Sequence, residues 1–134
     1  VVSPAADPGW TQFRGPERTG VAPVGKWPDN FAGLEQQWRV SLDKGYPGPI
    51  VDGKRVYVAE TANGETEIVR ALDRKTGKEM WRALWPGKHS VPFFAKKNGD
   101  WIRATPALDG GVLYVGGMEE VLVALDAATG RELW

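Results

Sequence analysis

The sequence of 134 residues contains no cysteine and a single histidine, His89. Without cysteine it forms neither disulfide bonds nor thiolate metal sites. A histidine base needs an orienting partner and a nearby nucleophile, and no serine–histidine–aspartate pattern surrounds His89. A loop histidine without a catalytic role is therefore the favoured interpretation, and no catalytic residue is predicted.

The chain also lacks an excess of charge of either sign. Its 17 basic and 17 acidic side chains give a formal net charge of zero, so it shows no electrostatic signature of nucleic-acid binding. No apolar run is long enough to span a bilayer. Residues 1–8 are small and rich in proline and alanine, which is typical of a mature exported protein but equally of a cloning remnant or a disordered lead-in.

What the chain does contain is a phrase that occurs twice. The pattern Ala-Leu-Asp-x-x-Thr-Gly-x-Glu-x-Trp covers residues 71–81 and returns at residues 124–134. Upstream of it, Pro-x-x-Asp-Gly begins a run of β-formers at Pro49 and again at Pro106. A repeat of roughly 40 to 55 residues made of short strands is typical of a β-propeller blade. We therefore predict an all-β fold, an incomplete propeller of about two four-stranded blades plus an N-terminal strand.

The predicted boundaries follow from the runs of β-formers and from the turns at Asp52-Gly53 and Asn63-Gly64. The first blade is expected to contain strands at about 47–52, 54–60, 67–73 and 78–84. The predicted organisation is a lead-in at 1–34, then a partial propeller at 35–134 with blades at about 47–84 and 104–134 and an insertion at 85–103.

The repeated phrase has a structural interpretation. Aspartate accepts hydrogen bonds from backbone N–H groups two residues on, and glycine supplies the positive φ that closes the turn. Alanine leaves room for a bulky neighbour, and tryptophan buries a large flat surface while its N–H needs a partner. The predicted blade-locking residues are Ala71, Asp73, Thr76, Gly77 and Trp81, then Ala124, Asp126, Thr129, Gly130 and Trp134.

This phrase resembles the tryptophan-docking motif of the pyrroloquinoline-quinone (PQQ) repeat, which quinoprotein dehydrogenases share with BamB-type assembly lipoproteins. The opening at residues 10–21, which begins Trp10-Thr11-Gln12-Phe13-Arg14-Gly15-Pro16, is similar to that of exported PQQ-like propellers common in planctomycete-type bacteria. The resemblance implies a periplasmic or otherwise exported protein. It also implies that Trp38 lies on an early strand that completes the last blade of the ring.

The dehydrogenases of this family hold PQQ and Ca²⁺ at the propeller axis. The resemblance implies a glutamate just before the first blade and an adjacent cysteine pair before the second. Alignment on Pro49 places Tyr46 near the glutamate position, and the range 95–104 has no cysteine. No cofactor or metal ligand is therefore expected here. The predicted function is a non-catalytic domain of an exported bacterial protein that acts as a scaffold for protein or ligand contacts. The alternative is a PQQ-dependent oxidoreductase whose cofactor residues lie mainly beyond Trp134. A third interpretation, a scaffold for envelope assembly of the BamB type, is not separated from the first by the sequence.

The insertion offers the remaining candidates. His89, Phe93, Phe94 and Trp101 are predicted as a possible contact loop for a partner or glycan, although an insertion that folds back over the blade edges is favoured because exposed aromatic side chains are costly. Asn98-Gly99 suggests an extra hairpin tip. In the opening motif, Arg14, Glu17 and Arg18 are expected to form a salt-bridged turn.

Two blades are fewer than the roughly four to eight that propellers use. We expect the sequence to be a fragment whose exposed blade faces are completed by further blades or by self-association, with an unidentified protein as a further partner.

Overall fold

Two antiparallel sheets follow one another along the chain. The computed structural model describes residues 9–22, 29–87 and 90–134, so His89 lies outside the described residues. The first sheet has the order β1 (Ile50–Val51), β2 (Arg55–Ala62), β3 (Thr66–Asp73) and β4 (Glu79–Pro86). The second has the order β5 (Ala107–Asp109), β6 (Val112–Gly116) and β7 (Leu122–Asp126). The all-β prediction is confirmed.

The predicted strands of the first blade are confirmed within a few residues. The 47–52 strand is shorter, because only Ile50 and Val51 pair with β2. The hairpin between β2 and β3 turns at Asn63 and Gly64, with φ of 54° and 68°. Both residues adopt the left-handed conformation that an Asn-Gly turn requires.

The second sheet begins a fourth strand at its end. Ala124 donates its N–H to the Trp134 carbonyl and accepts from the Leu133 N–H, both at 2.8 Å. Leu125 forms an isolated bridge with Glu132. Residues 132–134 therefore occupy the same position beside β7 as β4 occupies beside β3.

The buried core is shared by the two sheets. Tyr57, Val69 and Ala71 of the first sheet cluster with Leu113 and Leu125 of the second, and all five are almost completely buried. Burying a large apolar side chain contributes about 1.5–3 kcal/mol. The contact between successive sheets is therefore a principal source of stability.

The insertion contains a short 3₁₀-helix, Phe93–Asn98, and the predicted extra hairpin at Asn98-Gly99 is wrong. Ala95 donates its N–H to the Pro92 carbonyl at 2.8 Å, which closes the helical turn instead. Gly99 has φ of 71° and lies against the Trp101 ring, where a side chain would collide. Ile102 then enters the core and is fully buried.

The segment that precedes the first sheet pairs with it through isolated β-bridges. Trp10 forms an antiparallel bridge with Val51, and Lys44 forms another with Thr61. The range expected to hold an N-terminal strand, around Trp38, forms no ladder with the described residues. Within those residues, no helix is long and apolar enough to cross a membrane.

Candidate functional site

The aspartate of the first repeated phrase builds the turn between β3 and β4. Asp73 Oδ1 accepts from Lys75 N at 3.0 Å, from Thr76 N at 2.8 Å and from Thr76 Oγ1 at 2.9 Å. Gly77, with φ of 70°, donates its N–H to the Asp73 carbonyl at 2.8 Å. The hydrogen bond from the Thr76 hydroxyl is the main reason that the pKa of Asp73 lies below its ordinary value.

The second phrase forms the same turn. Asp126 Oδ1 accepts from Ala128 N at 3.1 Å and from both N and Oγ1 of Thr129 at 2.8 Å. Gly130 has φ of 75° and donates to the Asp126 carbonyl. The Thr129 hydroxyl likewise lowers the pKa of Asp126. The two copies are therefore equivalent in hydrogen bonding as well as in sequence.

Trp81 of the first sheet docks on the turn of the second. Its indole Nε1 donates to the Ala127 carbonyl at 3.1 Å, and its ring lies 5.9 Å from the Tyr57 ring. A Cβ on Gly130 would lie 2.6 Å from Trp81 Cδ2, so the indole needs a glycine beneath it. The Tyr57 hydroxyl also reaches the Ala127 carbonyl, at 3.2 Å.

Trp38 makes the equivalent contact with the turn of the first sheet. Its Nε1 donates to the Arg74 carbonyl at 2.9 Å, and a Cβ on Gly77 would lie 2.7 Å from Trp38 Cδ2. Arg74 follows Asp73 as Ala127 follows Asp126. Trp38 thus takes the place that a tryptophan of a preceding blade would take, as the resemblance implies.

Trp134 stands at the third position of this series. Its ring lies 6.2 Å from Tyr114 at an interplanar angle of 50°, which closely matches the Tyr57–Trp81 pair. It is 60% exposed, and no turn among the described residues receives it. Unlike Trp81, Trp134 therefore has no turn against its ring within the part of the chain that the structure describes.

Two buried polar groups join these elements and were not predicted from the sequence. Glu67 is fully buried, and its Oε2 accepts from Trp85 Nε1 at 2.6 Å while its Oε1 accepts from Met118 N at 2.8 Å. Tyr57 is also fully buried and donates to Asp52 Oδ2 at 2.9 Å. Burial, followed by the hydrogen bond to Asp52, raises the pKa of Tyr57 above its ordinary value.

An ion-pair network covers one face of the first sheet. Arg70 Nε binds Glu79 at 2.7 Å, and Arg70 NH1 lies 3.4 Å from Glu60. Arg82 Nε binds the other Glu79 oxygen at 2.6 Å. The hydrogen bond from Arg82 is the main reason that the pKa of Glu79 is lowered. These charges compensate one another, which favours a structural role.

The structure separates the members of the predicted contact loop. Phe93 and Phe94 lie edge to face on the 3₁₀-helix, with ring centroids 5.7 Å apart, and they are 84% and 74% exposed. Trp101 lies instead with Tyr46, at 5.7 Å, and beneath Lys44 Nζ, at 5.3 Å. It borders a cleft of about 410 Å³ whose other lining residues include Asp43, Asn63 and Asp100.

Within the described ranges, no group of three or more histidine, cysteine, aspartate or glutamate side chains is placed to hold a metal ion. At the position that the resemblance assigns to a Ca²⁺ carboxylate, the exposed Tyr46 packs against Trp101 and donates its N–H to the Ile102 carbonyl at 3.0 Å. Calcium takes oxygen ligands such as carboxylates and carbonyls, and the Tyr46 side chain offers a phenol instead at this position.

The expected salt bridges of the opening motif are not formed: the structure shows no ion pair among Arg14, Glu17 and Arg18. The turn is closed instead by hydrogen bonds from the arginines to neutral acceptors. Arg14 NH2 donates to the Thr19 carbonyl and Arg18 Nε to Gln12 Oε1, both at 3.1 Å.

Comparison with known families gives a match over residues 65–134 to the PQQ-repeat model described as "Outer membrane protein assembly factor BamB". Two curated proteins are similar. The chain is 33% identical over 112 residues to a 1-butanol dehydrogenase (cytochrome c) of Thauera butanivorans, and 32% identical over 103 residues to a quinohemoprotein alcohol dehydrogenase of Comamonas testosteroni. These alignments cover 80% and 76% of this chain, but only 15% and 14% of the relatives.

Solved structures give similar matches. A europium-containing methanol dehydrogenase aligns with 28% identity and a TM-score of 0.49, over 70% of this chain and 16% of that structure. BamB from Moraxella catarrhalis aligns with 23% identity and a TM-score of 0.44, over 75% of this chain and 29% of that structure.

Proposed function

The chain belongs to the PQQ-repeat family of β-propellers, and we propose that it is a non-catalytic propeller domain that acts as an interaction scaffold. In this proposal the docked blades form a rigid base, and the loops between them contact a partner. Loops on a rigid scaffold are where binding residues concentrate. The family and the exported-type opening motif support a location outside the cytoplasm.

The observation that carries the proposal is the Phe93–Phe94 pair. Its two rings are exposed in the connection between the sheets, although burying a phenylalanine is worth about 1.5–3 kcal/mol. Grouped exposed aromatic side chains are typical of protein interfaces, whose centres are enriched in them. We therefore propose that Phe93 and Phe94 insert into an apolar pocket of a protein partner.

A photo-reactive phenylalanine analogue placed at position 93 of the intact protein tests this surface in cells. We expect one discrete crosslinked adduct, which Phe94→Ser reduces by removing the second anchor. Phe31 provides the matched control, because it is 73% exposed and lies in a different turn. The scaffold proposal fails if position 93 gives no adduct, or the same adducts as position 31.

A second function, PQQ-dependent oxidation, is favoured by the two dehydrogenase relatives. The residues of this chain would not hold the cofactor, because Tyr46 offers a phenol where a carboxylate is needed. We expect calorimetric titration of the intact protein with PQQ and Ca²⁺ to show no binding that depends on this residue. One-to-one binding that is lost in the Tyr46→Phe variant would place the oxidoreductase first.

A further inference from the structure

The opening segment lies where the two sheets converge. Trp10 exchanges backbone hydrogen bonds with Val51 of β1, at 2.7 and 2.8 Å, and the next residue, Thr11, accepts from Leu108 N of β5 at 2.8 Å. Successive residues of this segment therefore bind the edge strands of the two sheets, Trp10 binding β1 and Thr11 binding β5.

This segment is folded into a defined turn. Gln12 Nε2 donates to the Pro16 carbonyl at 2.8 Å, and Gly20 N donates to the Arg14 carbonyl at 2.8 Å. Gly15 is buried beneath the Trp10 ring, where a Cβ would lie 2.8 Å from Cζ3. Trp10 thereby anchors the turn to the sheets.

The turn presents two arginines in an uncommon backbone conformation. Arg14 and Arg18 have φ of 66° and 54°, a region that non-glycine residues seldom adopt and that often accompanies function. Each donates one side-chain N–H to a neutral acceptor, and neither pairs with a carboxylate of the described residues. A guanidinium has five N–H donors, so most of them stay available.

The arginines line a cleft of about 430 Å³ between the turn and the start of β5. Thr105 also lines the cleft; its Oγ1 accepts from Gly48 N at 3.3 Å and keeps its own hydrogen to donate. Phe13, which is 68% exposed, adds an apolar wall. This volume lies within the usual range for small-molecule sites, about 300–1,000 Å³.

We propose that this cleft binds a small organic molecule through an oxyanion group, a carboxylate or a phosphate. Two guanidiniums bind such groups through paired N–H donors, and the Thr105 hydroxyl supplies a further donor. The positive charge is local, because the chain as a whole is neutral. The site is separate from the Phe93–Phe94 surface, so either proposal can fail without affecting the other.

Isothermal titration of the intact protein with citrate and with pyrophosphate, in parallel, tests the proposal and distinguishes the two anion sources. We expect saturable binding of at least one anion, weakened about tenfold or more in the Arg14→Gln/Arg18→Gln variant, because each lost charged hydrogen bond weakens binding by roughly that factor. The matched control is Lys54→Gln/Arg131→Gln, which removes two positive charges from turns outside the cleft.

An Arg14→Lys/Arg18→Lys variant keeps the positive charge, and is expected to bind with intermediate affinity because it lacks the planar fork. The proposal is overturned if neither anion saturates the protein, or if the control variant loses as much affinity as the arginine variant. Equal affinities of the lysine and glutamine variants would also overturn it, since the charge would then contribute nothing.

Discussion

At the scale of single residues, Trp81 links the two sheets through both ring packing and a hydrogen bond. Its ring packs on Tyr57 and Gly130, and its N–H binds the Ala127 carbonyl. We expect Trp81→Ala to lower the free energy of unfolding by roughly 3–5 kcal/mol, measured by urea denaturation. Leu84→Ala, at an exposed position of β4, is the control, and equal midpoints for the two variants would contradict the docking role.

The glycine beneath each docked indole is a second test at this scale. Gly77→Ala introduces a Cβ against the Trp38 ring as well as strain from positive φ, whereas Gly64→Ala introduces only the strain, because its surroundings are open. The strain costs about 1–2 kcal/mol, so we expect Gly77→Ala to melt at the lower temperature. Similar melting temperatures would show that Trp38 is not held by this contact.

The turn aspartates give stability a dependence on pH. The pKa of Asp73 is lower in the folded chain than its ordinary value of 3.8, so the folded state binds fewer protons than the unfolded state in this range. The contribution is present above about pH 5 and is lost as the pH falls through the folded pKa. Because the Thr76 hydroxyl is the main cause, Thr76→Val should return this pKa towards 3.8 in a carbon-13 NMR titration. An unchanged value would contradict the assignment.

At the scale of elements, the Glu67 carboxylate connects β3 with the Trp85 indole of β4 and with the turn before β7. The Glu67→Gln variant would lose the charge-assisted hydrogen bonds. Its amide N–H₂ group would also face one of the two N–H donors, Trp85 Nε1 or Met118 N. We expect a loss of about 1.5–3 kcal/mol for such a bond, measured by chemical denaturation. Glu35→Gln, at an exposed position, is the control. A Glu67→Gln variant as stable as the parent would show that the carboxylate contributes no connection.

Elements with strong local signals could be predicted from the sequence. The Asn63-Gly64 turn and both Asp-x-x-Thr-Gly turns are specified by residues within a few positions of one another, and they form as expected. The Asn98-Gly99 signal failed because Trp101 and the 3₁₀ turn determine that segment. Glu67 could not be found in this way, because Trp85 and Met118, its partners, lie 18 and 51 residues away. The cleft at Arg14 and Arg18 was not predicted, because a sequence does not show whether a charged side chain forms an ion pair in the folded protein.

At the scale of the whole molecule, the second sheet ends in an exposed apolar face. Trp134 lies there with Leu122, and both side chains are exposed. We expect the isolated chain of 134 residues to self-associate through this face, which light scattering would detect as a mass above 14.7 kDa that depends on concentration. Trp134→Ser/Leu122→Ser should reduce this association, and a stable monomer of the parent chain would contradict the expectation.

The contacts that Trp38 and Trp81 make with their turns also bear on how such repeat proteins evolve. Each blade carries its own anchor and receives its neighbour's anchor on an equivalent turn, so every junction is made from the same parts. Duplication of one unit in the gene would therefore copy both the tryptophan and the turn that receives one. Deletion of a unit would leave neighbouring units that still carry both parts. The tryptophan–turn contact itself would then need no compensating mutation at a new junction, whereas contacts outside the motif, such as that of Glu67 with Met118, would.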